Sequence, residues 1–142
     1  MIAHEIIGDD MQAVIISMTQ GDVIRAEAGA MMYMTDGIDM DAKMEGWFLG
    51  GLKRKLLAGE SFFITYFRCT SPAGRMAFAG PYPGKIIPVT ITPDRPLLSQ
   101  KDAFLCAKGE VEINIAFTRR IGAGFFGGEG FILQKLTGNG QT

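Results

Sequence analysis

The sequence predicts an all-β protein with little helix, built from two related halves. Short segments rich in Val, Ile, Phe, Thr and Tyr alternate with turns that contain Gly, Pro or Asp. The pattern of residues 31–42 returns at 104–115, an offset of 73 from 31 to 104, and residues 59–64 return at 128–133, an offset of 69 from 59 to 128. Such self-similarity indicates an internal duplication, and many short strands are typical of a sandwich, a barrel or a double-stranded β-helix.

Six strands and three turns are expected in the first half. The turns Gln20-Gly21-Asp22 and Asp36-Gly37 predict hairpins, and Asp36-Gly37 suits a type I′ turn because both residues tolerate positive φ. The third turn, residues 71–74, contains Pro and Gly. The strands are predicted at residues 13–18, 23–27, 29–35, 38–44, 61–70 and 75–79.

The second half begins after Pro81-Tyr82-Pro83-Gly84, whose two prolines cannot donate ladder hydrogen bonds. A turn is expected at Lys108-Gly109, the counterpart of Asp36-Gly37, and helical turns only at 48–58 and 99–104. Strands are predicted at residues 85–92, 97–107, 110–117 and 131–136. We therefore expect a first β repeat over 1–79 and a second over 80–142, forming one compact unit.

The second repeat is expected to be incomplete. Gly74-Arg75-Met76 aligns with Gly140-Gln141-Thr142, so the strand at 76–79 has no counterpart in the second repeat. The strand Phe131 to Leu136 is then predicted to lack its hairpin partner and to present an open edge, which proteins usually cover. Another chain would pair there, unless the sequence is a fragment of a longer protein.

Composition and charge limit the classes of partner and the cellular location that we expect for this protein. The net charge of −1 and the pI near 5.8 do not indicate a nucleic-acid partner, because phosphate contacts need clustered Lys and Arg. The start of the sequence lacks the basic and apolar regions of a signal peptide, and no apolar run approaches the ~18 residues of a membrane span, so a cytoplasmic location is expected. Cys69 and Cys106 form no CxxC pair and are expected to be buried and reduced.

No catalytic, cofactor-binding or metal-binding residues are predicted. Residues 122–127 match G-x-G-x-x-G, but a dinucleotide site needs an acidic residue about 20 positions later, so we interpret them as a glycine-rich loop. His4 is the only histidine and is expected on the surface near the terminus, which does not favour a metal site or a catalytic triad. The alternating acids of residues 39–41 and 110–112 are expected on solvated strand faces.

The segment 47–57 carries the only Trp and places three consecutive cations between apolar clusters. It is interpreted either as a connection between subunits or as a contact with an anionic membrane, where aromatic and aliphatic residues beside Lys and Arg suit the headgroup boundary. The loop 119–126 has a similar basic and apolar character in reversed order. The candidate membrane or partner contacts are Trp47, Phe48, Leu49, Lys53, Arg54 and Lys55.

Several segments carry a resemblance to a known family: Ala26 to Met34, Gly50 to Lys55 and Gly59 to Phe63, followed in order by matches at 83–86, 103–106 and 125–130. Together they resemble the family named after "altered inheritance of mitochondria", which has no established biochemical function. The resemblance implies duplicated double-stranded β-helix units similar in fold to the tryptophan RNA-binding attenuation protein. It also implies homo-oligomers, with a trimer favoured, and members longer than this chain. It brings no catalytic residues.

Three functional hypotheses follow. The leading one is a non-enzymatic oligomeric assembly or scaffold protein. The alternatives are a peripheral membrane protein that uses segment 47–57, and a small-ligand-binding β-helix protein. No cofactor is predicted, and nucleic acid is not an expected partner.

Overall fold

The computed structural model describes residues 3–27, 29–44, 63–119 and 131–142. In these ranges the regular secondary structure is β-strand apart from one short 3-10 turn at Lys101–Ala103, so the predicted all-β class is confirmed. The 3-10 turn lies inside the predicted helical turn at 99–104. The strands are β1 His4–Ile7, β2 Ala13–Thr19, β3 Val23–Glu27, β4 Met31–Met34, β5 Ile38–Met44, β6 Phe63–Cys69, β7 Ala73–Ala79, β8 Thr90–Ile91, β9 Leu97–Gln100, β10 Cys106–Arg119 and β11 Phe131–Gln141.

The strands form two antiparallel sheets. The smaller sheet has the order β1-β2-β7-β4. The larger has the order β5-β6-β3-β10-β11, and the outer side of β11 pairs with both β8 and β9. Strands that follow one another in the sequence therefore often belong to different sheets.

Both predicted hairpins of the first half are wrong, because their turns carry the chain from one sheet to the other. β2 and β4 lie in the smaller sheet, whereas β3 and β5 lie in the larger one. Gly37 has φ of 78° but no residue other than glycine has positive φ in the described chain, so Asp36-Gly37 is not a type I′ turn. The turns bond to one another instead: Gly21 N donates to Cys69 O at 2.8 Å, and Thr70 N donates to Gly37 O at 2.8 Å.

The turn predicted at Lys108-Gly109 is also absent, because β10 continues through both residues. Gly109 has φ of 99° and pairs with Gly140 of β11, and Gly138 of β11 has φ of 111° and pairs with Val111. These glycines let the two backbones approach closely, since a Cβ at Gly138 would collide with the carbonyl of Glu110. The predicted strand at 97–107 is divided into β9, the 3-10 turn and the start of β10.

The prediction that the strand Phe131 to Leu136 has an open edge is wrong. β11 pairs with β10 along its length, and on its other side Leu133 pairs with Gln100 and Leu136 pairs with Leu97. The expectation assumed that the missing partner would follow β11 in the sequence. The structure takes that partner from β9, an earlier part of the chain.

Strand pairing repeats at the offsets seen in the sequence. Ile38 pairs with Cys69 in β5–β6, and Val111 pairs with Gly138 in β10–β11, at offsets of 73 and 69. Ile24 pairs with Phe67 in β3–β6, and the same two offsets give the observed pair of Leu97 with Leu136 in β9–β11. A pair of residues that face each other in the first half therefore corresponds to a pair that face each other in the second half.

Two apolar clusters form the core. The first includes Ile16, Phe67 and Phe78, and the rings of Phe67 in the larger sheet and Phe78 in the smaller sheet meet edge to face at 5.8 Å between centroids. The second cluster is Ile64, Ile91, Phe104, Ala107, Val111, Ile113 and Leu136. Cys69 and Cys106 are buried and free, and the acids of residues 39–41 and 110–112 are exposed, as expected.

Candidate functional site

The six contact residues proposed from the sequence, at 47–49 and 53–55, lie outside the described residues, as does the glycine motif at 122–127. His4 is exposed, as expected, but it lies in β1 and pairs with Ile16 of β2. Over the ranges the structure describes, His, Cys, Asp and Glu residues form no group of three that could hold a metal ion. No described helix is long and apolar enough to cross a membrane.

A cavity of about 280 Å³ lies where the two halves meet. Val14 and Ile16 of β2 form part of its wall, and residues 85–89 and 103–106 form another part. The lining is mostly apolar, and its polar side chains include His4, Lys85, Ser99, Gln141 and Thr142. Its size is just below the range of about 300–1,000 Å³ that is usual for ligand pockets.

Buried polar atoms without partners lie beside this cavity. Ser99 of β9 lines it and pairs with Gln134 of β11, and neither the Ser99 hydroxyl nor the Gln134 amide has a hydrogen-bonding partner among the described residues. One carboxylate oxygen of Glu27 is also buried without a partner, while the Glu27 N–H donates to Leu105 O at 3.1 Å. Unpaired buried polar groups cost free energy, so they need an explanation such as a ligand or a water.

Burial raises the pKa of the Glu27 carboxyl above its usual 4.5, since the charged form loses hydration. Lys101 lowers this pKa and Asp102 raises it. The Gln134 amide lies close enough to lower the pKa further, but the two groups do not reach hydrogen-bonding geometry. Glu27 therefore holds its proton more tightly than a solvated glutamate does.

The sequence analysis did not identify Glu27, Ser99 or Gln134 as site residues. One signal was present: Gln134 lies 69 residues after Thr65, and both are buried polar residues in otherwise apolar strands. The amide of Gln134 is fully buried, which is unusual for a polar side chain without hydrogen bonds. The duplication alone did not show that this position lies opposite Ser99, which lines the cavity.

Charged contacts hold the halves together next to this region. Lys108 Nζ of β10 lies 2.7 Å from Asp22 Oδ1, in the turn between β2 and β3. The Lys108 ammonium holds the pKa of the Asp22 carboxyl below its usual 3.8, and Thr19 N–H adds a hydrogen bond to Asp22 Oδ2 at 2.9 Å. The Arg25 guanidinium of β3 donates to the carbonyl of Gly109 in β10.

Cys106 borders the cavity but is not a candidate nucleophile. Burial raises the pKa of its thiol to about 12, so the reactive thiolate is scarce at neutral pH. The apolar lining of the cavity agrees with the burial that raises the pKa of this thiol.

Five strands of the described part of the chain pair on one side only: β1 and β4 in the smaller sheet, and β5, β8 and β9 in the larger one. β4 pairs only with β7, and β9 pairs only with β11. Three of the four side chains of β4 are exposed, with Met32 at 60%, Tyr33 at 46% and Met34 at 37% of full exposure, while Met31 packs against the core. On β9, Leu98 is 58% exposed.

A family comparison connects this architecture with known proteins. The family model described as "Mitochondrial biogenesis AIM24" matches residues 4–142. The chain belongs to this family. The resemblance drawn from its sequence segments is therefore confirmed at the level of the AIM24 family.

Two relatives extend the comparison of this AIM24-family chain. An uncharacterised protein of Streptococcus pyogenes serotype M6 is 28% identical over 128 residues, which cover 86% of the chain and 50% of the relative. The crystal structure of a Streptococcus pyogenes protein, solved as a structural genomics target, superimposes with a TM-score of 0.72 at 23% identity and covers 99% of the chain and 62% of that protein. At this identity the superposition shows a shared fold. The chain spans about half the length of the curated relative.

Proposed function

We propose that this AIM24-family chain is a non-enzymatic assembly protein that acts as a homo-oligomer, with a trimer as the expected form. The observation that carries the proposal is the unpaired β4 edge, on which Met32, Tyr33 and Met34 are all exposed. Natural edge strands are usually protected by charges, Pro or bulges, because unpaired backbone groups attract other strands. β4 has a bulge between Met31 and Tyr33 but carries neither a charged residue nor a proline, and exposed apolar patches are typical of protein interfaces.

The repeated pairing of equivalent residues in the two halves supports the further proposal of duplicated double-stranded β-helix units over 1–79 and 80–142. Such units are related to the fold of the tryptophan RNA-binding attenuation protein. A cytoplasmic location, and membrane association through 47–57, remain predictions from the sequence. Co-sedimentation with anionic vesicles, compared with neutral ones, tests the membrane contact.

Light scattering coupled to size-exclusion chromatography measures the mass of the assembly, at a chain concentration of tens of micromolar. We expect a mass that is a multiple of 15.4 kDa, and three chains in the favoured case. Met34→Lys should reduce the mass because a charge would enter the contact. Met11→Lys is the matched control, since Met11 is 66% exposed and lies outside β4. A monomeric wild-type chain would contradict the proposal.

The cavity supports a second candidate function, the binding of a small, largely apolar molecule with one anionic or hydrogen-bonding group. Ser99 offers a buried hydroxyl without a partner among the described residues, and Lys85, whose ammonium donates to Asp9 O at 2.8 Å, also lines the cavity. The fluorescent probe 1-anilinonaphthalene-8-sulfonate combines aromatic rings with an anion and is a suitable test ligand.

Saturable enhancement of the probe's fluorescence by the folded chain is expected. Ala103→Phe should weaken binding because Ala103 lines the cavity, whereas Ala116→Phe, at an exposed position that does not line it, should leave binding unchanged. Equal binding by the two variants would place the probe elsewhere and exclude this candidate.

A further inference from the structure

Among the strands that the structure describes, one pairing joins the two halves of the chain. The start of β10, in the second half, pairs with β3, in the first half: Cys106 with Ala26, Ala107 with Arg25, and Lys108 with Ile24. The ion pair between Lys108 and Asp22 lies at the same joint. This pairing shows how a second half attaches to the half before it.

The offset of 73 identifies the equivalent strands. β9 occupies the place of β3, because Leu97 pairs with Leu136 as Ile24 pairs with Phe67. The start of β10 is equivalent to β4, since Cys106 corresponds to Tyr33. The next part of β10 is equivalent to β5, since Val111 corresponds to Ile38. The counterpart of the β10–β3 joint is therefore a pairing of β4 with β9.

That counterpart is not formed within the chain. The described structure pairs β4 only with β7 and β9 only with β11, so each strand keeps one unpaired edge. Transferring the joint by the offset of 73 places Tyr33 opposite Ser99, Met34 opposite Leu98, and Thr35 opposite Leu97. Met34 and Leu98 are both exposed apolar residues, as an interface between copies requires.

We propose that β4 of one copy pairs antiparallel with β9 of the next copy in this register. The inference rests on the assembly function proposed above and specifies its interface. Each copy uses β4 on one side and β9 on the other, so the contact is head to tail and generates a ring when the rotation between copies closes. The partner's β4 also lies beside Ser99 and so borders the cavity, which would couple assembly to ligand binding.

The chemistry of the joint supports this register. In the proposed contact Met34 takes the position of Ala107, and Leu98 takes the position of Arg25. Two apolar side chains therefore face each other where the joint has a cation. The position of Asp22 is taken by Arg95, and that of Lys108 by Thr35. Arg95 would then lie near the Thr35 hydroxyl, which accepts from Arg75 N at 3.0 Å, so the ion pair of Lys108 with Asp22 has no counterpart in this contact.

Disulfide trapping in the full chain tests the register. One double variant carries Met34→Cys with Leu98→Cys, and another carries Tyr33→Cys with Ser99→Cys. Two directly opposite pairs alternate between Cα separations of about 5.5 and 4.5 Å, and both values lie in the range that a disulfide spans. After mild oxidation we expect at least one variant to form covalent oligomers on a non-reducing gel, with the linked peptides identified by mass spectrometry.

Controls separate head-to-tail pairing from other contacts. Met34→Cys with Gln100→Cys is out of register by two residues and should link at least tenfold less. Chains with only Met34→Cys should link to chains with only Leu98→Cys when mixed, and neither should link to itself. Self-linking of Met34→Cys chains would indicate a twofold contact of β4 with β4 and would overturn the proposal.

The outcomes also distinguish this inference from the function on which it rests. An oligomeric wild-type chain without links in either double variant would overturn the β4–β9 register and leave the assembly function standing. A monomeric wild-type chain would overturn both. Leu98→Lys should lower the oligomer mass as Met34→Lys does, and an unchanged mass for Leu98→Lys would also contradict the register.

Discussion

Asp22 and Lys108 form an ion pair with 2.7 Å between Oδ1 and Nζ, and it connects the turn after β2 to β10. Both side chains are largely shielded from solvent, at 21% and 31% of full exposure. The pair lies beside the β3–β10 pairing that joins the two halves of the chain. It gives this joint an electrostatic component in addition to its backbone hydrogen bonds.

Lys108→Met should lower the free energy of unfolding by about 0.5–1 kcal/mol at pH 7, the usual contribution of a partly exposed ion pair. The folded pKa of Asp22 is below its unfolded value of 3.8, so this stabilisation is present above pH 3.8 and is lost as pH falls through the folded pKa. Urea unfolding of both proteins at several pH values measures the difference. A difference that persists in strong acid would show that the ion pair is not its cause.

Glu27→Gln should stabilise the protein at neutral pH. The folded pKa of Glu27 is raised above 4.5, so the cost of the buried charge appears as pH rises above 4.5 and is complete above the folded pKa. Below pH 4.5 the two proteins should have nearly equal melting temperatures. Glu112→Gln is the control, because Glu112 is exposed on β10 and its substitution should have little effect. A lower melting temperature for Glu27→Gln at neutral pH would show that the carboxylate has a favourable partner.

Gly138→Ala should reduce the free energy of unfolding by about 2–5 kcal/mol, because the added methyl group collides with the Glu110 carbonyl and the position has φ of 111°. Gly21→Ala separates the two causes. Gly21 has φ of 89° but open space around its Cβ position, so its substitution should cost only about 1–2 kcal/mol. Chemical denaturation measures both values, and equal losses would mean that the collision relaxes without cost.

Neither thiol should react with 5,5′-dithiobis(2-nitrobenzoic acid) within minutes in the native protein. Cys69 and Cys106 are buried, and burial raises the pKa of the Cys106 thiol to about 12. Unfolding in guanidinium should release both thiols of the chain. Rapid reaction of one thiol in the native state would reveal local opening of β6 or β10.

Local signals predicted the parts of the fold that depend on neighbouring residues. The strand-rich composition, the 3-10 turn within 99–104 and the buried cysteines agree with the structure because each follows from propensity or from alternation along a strand. The two hairpins were wrong for a related reason. Turn sequences specify a reversal of the chain, but they do not specify which strand lies beside the next one.

The candidate site likewise combines residues that no local sequence signal connects. Ser99 and Gln134 are 35 residues apart in the sequence and become neighbours only through the β9–β11 pairing. Glu27 joins this region from the other half of the chain, and its raised pKa depends on burial there. No spacing rule connects three residues that lie on three separate strands, β3, β9 and β11, of the larger sheet.

The sequence by itself determined the all-β class, the family and the two offsets of the repeat, because these depend on residue types and their order. Only the tertiary structure decided that sequential strands separate into two sheets, that β9 covers β11, and that β4 and β9 each pair on one side only among the described strands. The physical reason is that strand partners are chosen by the burial of whole apolar faces and by backbone hydrogen bonds between distant segments. Both are properties of the folded chain as a whole.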